Sequence, residues 1–384
     1  MENQYMNNVR KYLKEGDVVQ SDIITYHPHV TLLVRKGTVV TEHLLSSLEH
    51  FDYDFQKMEI VVSRNGEIVS NGKKETKPEP VQPKEEPRDR TAVTFSEKLK
   101  NDAVKAAKQL FAEDMTGREL HSTSSELSHD ITDTVLSAGE NANICIQDLR
   151  VTDEYTYQHS VDVGVLAAQL AKRLGWEEKK VNMTAQSGIL HDIGKKHVPL
   201  EILNKPGRLT DEEFAVMKLH PVYAYKELSG IREMANEIKL GAFEHHEKIN
   251  GKGYPRGLSG NEISDIAQVL AIADVYDALT SKRAYKDGMS SARAVGIMSE
   301  MMDGFNQKYF AVFLNCITLY PVGSHVICTD GFSYKVESHN PGYPSKPVLL
   351  NEFTGRRINL CETRDLTIFG EDCEEIRNKL NLNK

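Results

Sequence analysis

An apolar run that ends in an adjacent histidine and aspartate constrains this chain more than any other stretch: Ile189-Leu190-His191-Asp192-Ile193-Gly194-Lys195. Burying a His-Asp pair at the end of an apolar helix is costly unless both groups are paired or hold a metal. Alone, such a dipeptide is most simply a histidine beside its neighbouring carboxylate. Its company argues for more. His159 precedes it, and His220, His245, His246 and Asp274 follow, each in or beside a strongly helical pattern. Asp274 stands in Leu270-Ala271-Ile272-Ala273-Asp274-Val275, an apolar run in which a carboxylate must be compensated. His191-Asp192 and His245-His246 are adjacent pairs, and neighbouring side chains on a helix diverge by about 100°. In the first pair one member is thereby able to ligate singly while the other bridges, and the second pair is arranged the same way. His220, before Pro221, reads by itself as a helix C-terminal histidine facing the dipole. Lys195 by itself reads as a solvated lysine, and beside the pair as a positive charge for a phosphate.

If these seven side chains converge, five imidazoles and two carboxylates exceed one closed zinc site, which takes about four ligands. They suit two ions that share a bridging carboxylate. Imidazole with carboxylate is a ligand set for iron, manganese or zinc, and the absence of thiolates removes the strongest argument for structural zinc. Two ions ~3.5–4 Å apart clamp the attacking and leaving oxygens of an in-line displacement at phosphorus and bring a bound water toward pKa ~7. The chemistry implied is hydrolysis of a phosphate ester.

The rest of the chain supports that reading by exclusion. Five cysteines (Cys145, Cys316, Cys328, Cys361, Cys373) show no C-x-x-C spacing, which fits neither a disulfide framework nor a zinc knuckle. The net charge of −9 lends no support to DNA or RNA binding. No apolar run approaches the ~20 residues of a membrane helix, and the N-terminus lacks a signal-peptide pattern, so a cytoplasmic protein without membrane attachment is expected.

The expected fold class is mainly α, an all-helical domain flanked by two small modules. Residues 1–70 read as an α/β accessory domain, with Thr41 capping a short helix through His50. His27, His29, His43 and His50 have no acidic partners and read as surface residues. Residues 71–92 form a charged linker with Pro78, Pro80, Pro83 and Pro87, too polar to fold alone. Residues 93–150 hold two amphipathic helices, either bundle or dimerisation elements. Helices are expected over 155–174, 177–193, 231–246, 262–281, 290–305 and 308–319, within a domain spanning 151–318. Thr210 and Glu213 form a capping box for another. Residues 319–384 read as an antiparallel β module, with strands at 325–329, 334–337, 348–352 and 356–360 and a closing helix at 371–380.

Between the His245-His246 helix and the Asp274 helix runs Asn250-Gly251-Lys252-Gly253-Tyr254-Pro255-Arg256-Gly257. It lacks the G-K-[ST] ending of a P-loop. It reads as an exposed loop that offers Tyr254 as a binding or partner surface.

Together these motifs resemble the HD-GYP family, a branch of the HD superfamily of metal-dependent phosphohydrolases, over residues 153–286. The residues that carry the resemblance are Tyr155 through Ser160, His191 through Lys195, Ile202 through Gly207, His245-His246-Glu247, Gly251 through Pro255, and Ala273 through Thr280. The resemblance implies a binuclear hydrolase of cyclic di-GMP, giving linear pGpG and, if the reaction proceeds further, GMP. It implies one metal on His159, His191, Asp192 and Asp274, and another on His220, His245 and His246 with Asp192 bridging. Iron or manganese is implied most strongly. Lys195 would contact the scissile phosphate, and Arg283 and Lys286 the substrate phosphate or guanine. Gly253-Tyr254-Pro255 would form the signature loop that meets partners such as diguanylate cyclases, and a homodimer is compatible with the pattern.

Tyr155 stands where some members carry a third-metal glutamate, so two metals are expected. Arg283-Ala284-Tyr285 replaces the usual Arg-Pro-Tyr, which relaxes the turn around Arg283. Two alternatives remain open at this point: a phosphodiesterase for another cyclic nucleotide or dinucleotide, and a non-catalytic cyclic di-GMP receptor.

Overall fold

The computed structural model describes residues 9–21, 23–25, 31–34, 36–49, 55, 60–70, 93–112, 114–140, 142–145, 155–281, 288–340, 342–352 and 354–380. The expected linker, 71–92, lies outside the described residues, as do His27, His29 and His50 and the side chain of His43. The chain divides into two compact units, 1–87 and 88–384.

The first unit is a small α/β assembly. Strands Val18–Val19, Val61–Arg64 and Glu67–Ser70 form one antiparallel sheet, and Ile23–Thr25 pairs with Thr31–Val34 in a second. Helix Glu42–Glu49 begins where Thr41 Oγ1 accepts the Leu44 N–H at 3.2 Å, the cap expected from sequence. Leu13, Val19, Ile23, Leu45, Phe55 and Val62 form its core.

The second unit is built on helices whose starts are written in their caps. Ser96 caps helix Glu97–Leu110, and Thr116 with Glu119 closes a capping box on helix Gly117–Ser137. Both bury apolar faces (Ala103, Ala107 and Leu110; Leu120, Leu127, Ile131 and Val135) in the same core as the helices that follow. They are bundle elements of this unit.

Helix Tyr155–Arg173 is buried on nearly all sides by Val161, Val163, Leu166, Ala167 and Leu170, the pattern of a central helix. Helix Glu178–Leu190 crosses it where Gly164 meets Gly188. A Cβ on Gly188 would lie 2.8 Å from the Gly164 Cα, so the two backbones touch and only glycine fits. Helices His220–Ser229, Asn236–Glu244 and Asp265–Thr280 complete the wall around the ends of these two.

Several expected boundaries shift. The helix expected over 177–193 stops at Leu190, and Ile193–His197 tightens into a 3₁₀ turn. The helix expected over 231–246 begins only at Asn236, after a cap at Gly230 and a turn through Ile231 and Met234. Helix Ser291–Glu300 is shorter than its expected span of 290–305, and Gln307–Phe313 shorter than 308–319.

The C-terminal region is an antiparallel sheet in the order Ile368–Glu371, His325–Cys328, Ser333–Ser338, Val348–Asn351, Arg356–Asn359. The last four match the expected strands. Ile368–Glu371 was not expected: Gly370 interrupts the strand pattern, and the register shifts between Ile368 and Gly370. It pairs back onto His325–Cys328, and helix Glu374–Lys379 follows.

Candidate metal centre

The seven predicted side chains converge. His159 comes from the first turns of the central helix, and His191 and Asp192 follow the end of helix Glu178–Leu190. His220 opens helix His220–Ser229, His245 and His246 follow helix Asn236–Glu244, and Asp274 lies mid-way along helix Asp265–Thr280. The tight 3₁₀ turn after Asp192 is pressed against the His220 helix. A Cβ on Gly194 would sit 2.0 Å from the His220 carbonyl oxygen. That contact fixes the spacing between the His-Asp pair and His220. His220 is at the N-terminus of its helix, not the C-terminus as its position before Pro221 suggested, so the dipole there disfavours a cation.

Three of the five imidazoles are held the same way. Nδ1 of His191, His220 and His245 faces the carbonyl oxygen three residues back, at 2.7 Å from Gly188, 2.8 Å from Met217 and 2.8 Å from Ala242. A carbonyl only accepts, so each Nδ1 carries the hydrogen and each Nε2 presents a lone pair to the centre. His159 Nδ1 lies 2.6 Å from the buried Asp277 carboxylate and also presents Nε2 inward.

Asp192 sits between the two halves. Its Oδ2 is 3.3 Å from His191 Nε2 and 3.5 Å from His159 Nε2, and its Oδ1 is 3.4 Å from His220 Nε2. Lys195 Nζ reaches Oδ2 at 2.5 Å. Asp274 places Oδ1 3.3 Å from His159 Nε2 and Oδ2 3.8 Å from His246 Nδ1. Within this shell His220-His245-His246, His159-His191-Asp192 and His191-His245-Asp274 each bring three ligand atoms within 4.8 Å of one another.

The electrostatics divide the histidines. Burial pushes His220 down to about 3 and His246 to about 4, against the pull of Asp192 and Asp274 respectively. Burial, reinforced by His246 and His191, holds His245 well below the usual imidazole range. Burial also opposes charge on His159, but Asp274 and Asp277 beside it prevail and raise it to about 10. Despite their burial, Asp192 and Asp274 are held below the usual carboxylate range, Asp192 chiefly by His191 and Lys195 and Asp274 by His159.

These residues fit a metal centre on two observations. The buried His191 Nε2 and Asp192 Oδ1 make no hydrogen bond with protein. His220 Nε2 and His245 Nε2 approach to 3.3 Å, yet both Nδ1 atoms carry the hydrogen, so two lone pairs face each other. A cation between them turns that repulsion into ligation. All the donors are nitrogen or oxygen.

The loop after His246 differs from its expected exposed form. Gly253 lies so close to Glu247 that a Cβ would come within 2.4 Å of the Glu247 Cα. Tyr254 is folded back, its ring 4.7 Å from that of His246 and 6.4 Å from that of Phe214. Pro255 follows a cis peptide bond. Buried Glu247 ties the loop down, accepting the Arg256 N–H at 2.6 Å and the Leu258 N–H at 3.0 Å. Only the far edge of the loop, at Lys252, Arg256 and Gly257, is exposed. Arg283 and Lys286 lie outside the described residues.

Asp277 is the functional residue that sequence reasoning missed. Its signal was present, since a second carboxylate stands three residues after Asp274 in the same buried helix. Ser281 Oγ also meets both Asp277 oxygens, at 2.9 and 3.0 Å.

A family model described as HD domain matches residues 143–307. Over 207 residues the chain is 41% identical to a cyclic di-GMP phosphodiesterase of Pseudomonas aeruginosa, covering 54% of this chain and 50% of that protein. It is 39% identical over 145 residues to 3'3'-cGAMP-specific phosphodiesterase 1 of Vibrio cholerae, covering 38% of this chain and 33% of that one. Among solved structures, an HDG"Y"P protein from Bdellovibrio bacteriovorus matches at 18% identity with a TM-score of 0.47, covering 79% of this chain and 95% of that one. The chain thus spans half or less of the length of these two curated relatives. With the His191-Asp192 pair at the centre of the site and Tyr254 folded against His246, residues 143–307 of this chain match the HD domain family, and the stretch is similar to the phosphodiesterases named above.

Proposed function

We propose that this protein hydrolyses cyclic di-GMP to linear pGpG at a centre of two divalent ions, iron or manganese. The observation that carries the reading is the pair of facing Nε2 lone pairs on His220 and His245, 3.3 Å apart, beside the unbonded His191 Nε2 and Asp192 Oδ1. His159, His191, Asp192 and Asp274 would hold one ion, and His220, His245 and His246 with Asp192 the other. When bound, such ions acidify water and neutralise phosphate charge.

The chain's own residues supply the rest. Asp192 spans both halves because its two oxygens face different histidines. Lys195, released from Asp192 once that carboxylate is engaged elsewhere, would place its ammonium against a non-bridging phosphate oxygen. The main-chain carbonyls behind His191, His220 and His245 keep those rings in one tautomer, so no reorganisation is needed as charge develops. Tyr254 covers His246 and limits solvent on that side. Arg283 and Lys286 are proposed as contacts to substrate phosphate or guanine. The exposed loop edge at Lys252 and Arg256 is proposed as the face that meets a signalling partner such as a diguanylate cyclase.

A second reading, hydrolysis of a mixed cyclic dinucleotide, is favoured by the likeness to the Vibrio cholerae 3'3'-cGAMP-specific phosphodiesterase. Incubating the metal-loaded protein with cyclic di-GMP and 3'3'-cGAMP side by side, with products resolved by chromatography, separates the two. Faster conversion of cyclic di-GMP to pGpG supports the first reading. Preference for 3'3'-cGAMP replaces it, and tight binding of either without turnover makes the protein a receptor.

A further inference from the structure

A cleft of about 570 Å³ opens where the C-terminal sheet meets the start of helix Ser291–Glu300, on residues that take no part in the metal centre. Its size falls within the ~300–1,000 Å³ usual for small-ligand sites. Its lining combines three chemistries. Phe369 presents a ring that is 49% exposed although it belongs to a strand, and Tyr320 adds a second aromatic side chain. Arg293 and Lys379 bring two cations from different elements. Glu371 brings a half-buried carboxylate to the same lining as Ser290, the cap of the helix.

That combination selects a ligand class. An exposed aromatic ring is a stacking platform for a planar base, worth about 1–3 kcal/mol per base where measured. Arginine and lysine meet phosphate. A carboxylate only accepts, and its two oxygens match two parallel N–H donors on one edge of a ring. Guanine has such an edge, a ring N–H beside an exocyclic amine, and adenine does not.

The cleft is wired to the metal centre through few atoms. Its floor residue Met289 donates its N–H to the Leu279 carbonyl at 3.0 Å. Gly288 abuts the Thr280 carbonyl so closely that a Cβ would lie 2.1 Å away. Next to Ser290, Ser291 accepts the buried Tyr276 O–H at 2.8 Å. Tyr276, Leu279 and Thr280 belong to the helix that carries Asp274 and Asp277. A ligand seated between Phe369 and Ser290 therefore presses on the last turns of that helix.

We propose that this cleft is an effector site for a guanine mononucleotide, separate from the catalytic centre. The binding claim stands apart from the proposed hydrolysis, since it needs neither metal nor turnover.

The test is calorimetric titration of the full chain, stripped of metal with a chelator, with GMP and then with AMP. The proposal expects saturable GMP binding, AMP at least about tenfold weaker, and a loss of about tenfold or more in both Phe369→Ala and Glu371→Gln. Amide hydrogen exchange over residues 276–280 should slow on adding GMP to the wild type and stay unchanged in Phe369→Ala. Both variants lie at a partly exposed cleft, so a normal thermal melt serves as the folding check. Equal affinity for GMP and AMP would overturn the guanine selectivity and with it the proposal, and GMP binding lost in Lys195→Ala but kept in Phe369→Ala would place the nucleotide in the catalytic centre and overturn it too. No GMP binding would overturn it as well. Failure to hydrolyse any cyclic dinucleotide would leave these readouts untouched and would count only against the proposed catalysis.

Discussion

Asp277 Oδ2 lies 2.6 Å from His159 Nδ1, and both groups are buried. Asp277 sets which nitrogen of His159 faces the other six convergent side chains. The carboxylate is itself fixed by Ser281, one turn further along the helix. This is the carboxylate–histidine arrangement that raises ligand basicity and locks ring orientation.

Asp277→Ala is therefore expected to weaken metal binding by about 10–100-fold while the helices persist. Competition titration with a chelating dye measures the affinity, and far-ultraviolet circular dichroism checks the fold. Asp277→Asn should be milder, since an amide oxygen can still accept from Nδ1. Unchanged affinity in both variants would show that Asp277 only fills space.

The Gly194–His220 contact gives a steric prediction. Gly194→Ala puts a methyl 2.0 Å from the His220 carbonyl oxygen, which is backbone and cannot swing away. The expected cost is about 1–3 kcal/mol from overpacking, with displacement of the His-Asp turn and loss of metal. Gly139→Ala, with nothing within 4 Å of the new methyl, should melt within a degree or two of wild type. Equal melting of the two variants would mean that the turn is free to move.

How much of this was legible beforehand can be judged from particular residues. The His and Asp positions were legible because charged or polar groups at helix ends and inside apolar runs must be compensated, and Asp274 among alanines and isoleucine is the clearest case. The helix starts were legible where they carry side-chain caps, as at Thr41 and Thr210. The end of the helix before His191 was not, because Ile189, Leu190 and Ile193 keep a helical apolar spacing across the His-Asp pair while the backbone tightens to meet the His220 helix. The Gly164–Gly188 crossing was equally hidden, since a close approach leaves no periodicity to read. The inward fold of Tyr254 depends on Glu247 hydrogen-bonding the loop backbone, a tertiary effect that a glycine-rich stretch does not disclose.

Glu247 yields a prediction of its own. Glu247→Ala leaves the Arg256 and Leu258 N–H groups without their acceptor in a half-buried loop. A loss of about 1–3 kcal/mol is expected. Faster amide exchange over residues 252–258, with the core helices still protected, would locate the effect. Uniformly faster exchange across the chain would contradict it.

The metal-free protein should be most stable near pH 6.5. His220 and His246 are pushed down to about 3 and about 4, so between those values and about 6.5 the unfolded chain binds more protons. Stability therefore falls as pH drops through that window. His159 has the opposite sign. Raised to about 10, it binds its proton more tightly when folded, and the stability this contributes is complete below about 6.5 and lost as pH rises toward 10. Urea midpoints measured in chelator from pH 4 to pH 9 should trace this maximum. A flat profile would show that these histidines reach solvent in the native state.

The central claim is that seven side chains from five helical segments form one binuclear centre around Asp192. Elemental analysis of protein purified without oxygen and loaded with iron or manganese tests it most directly, with Asp192→Ala and Asp277→Ala alongside. Two ions per chain in the wild type, falling to one or none in Asp192→Ala with the fold retained, is the predicted result. One ion or none in the wild type, or two in Asp192→Ala, would contradict it.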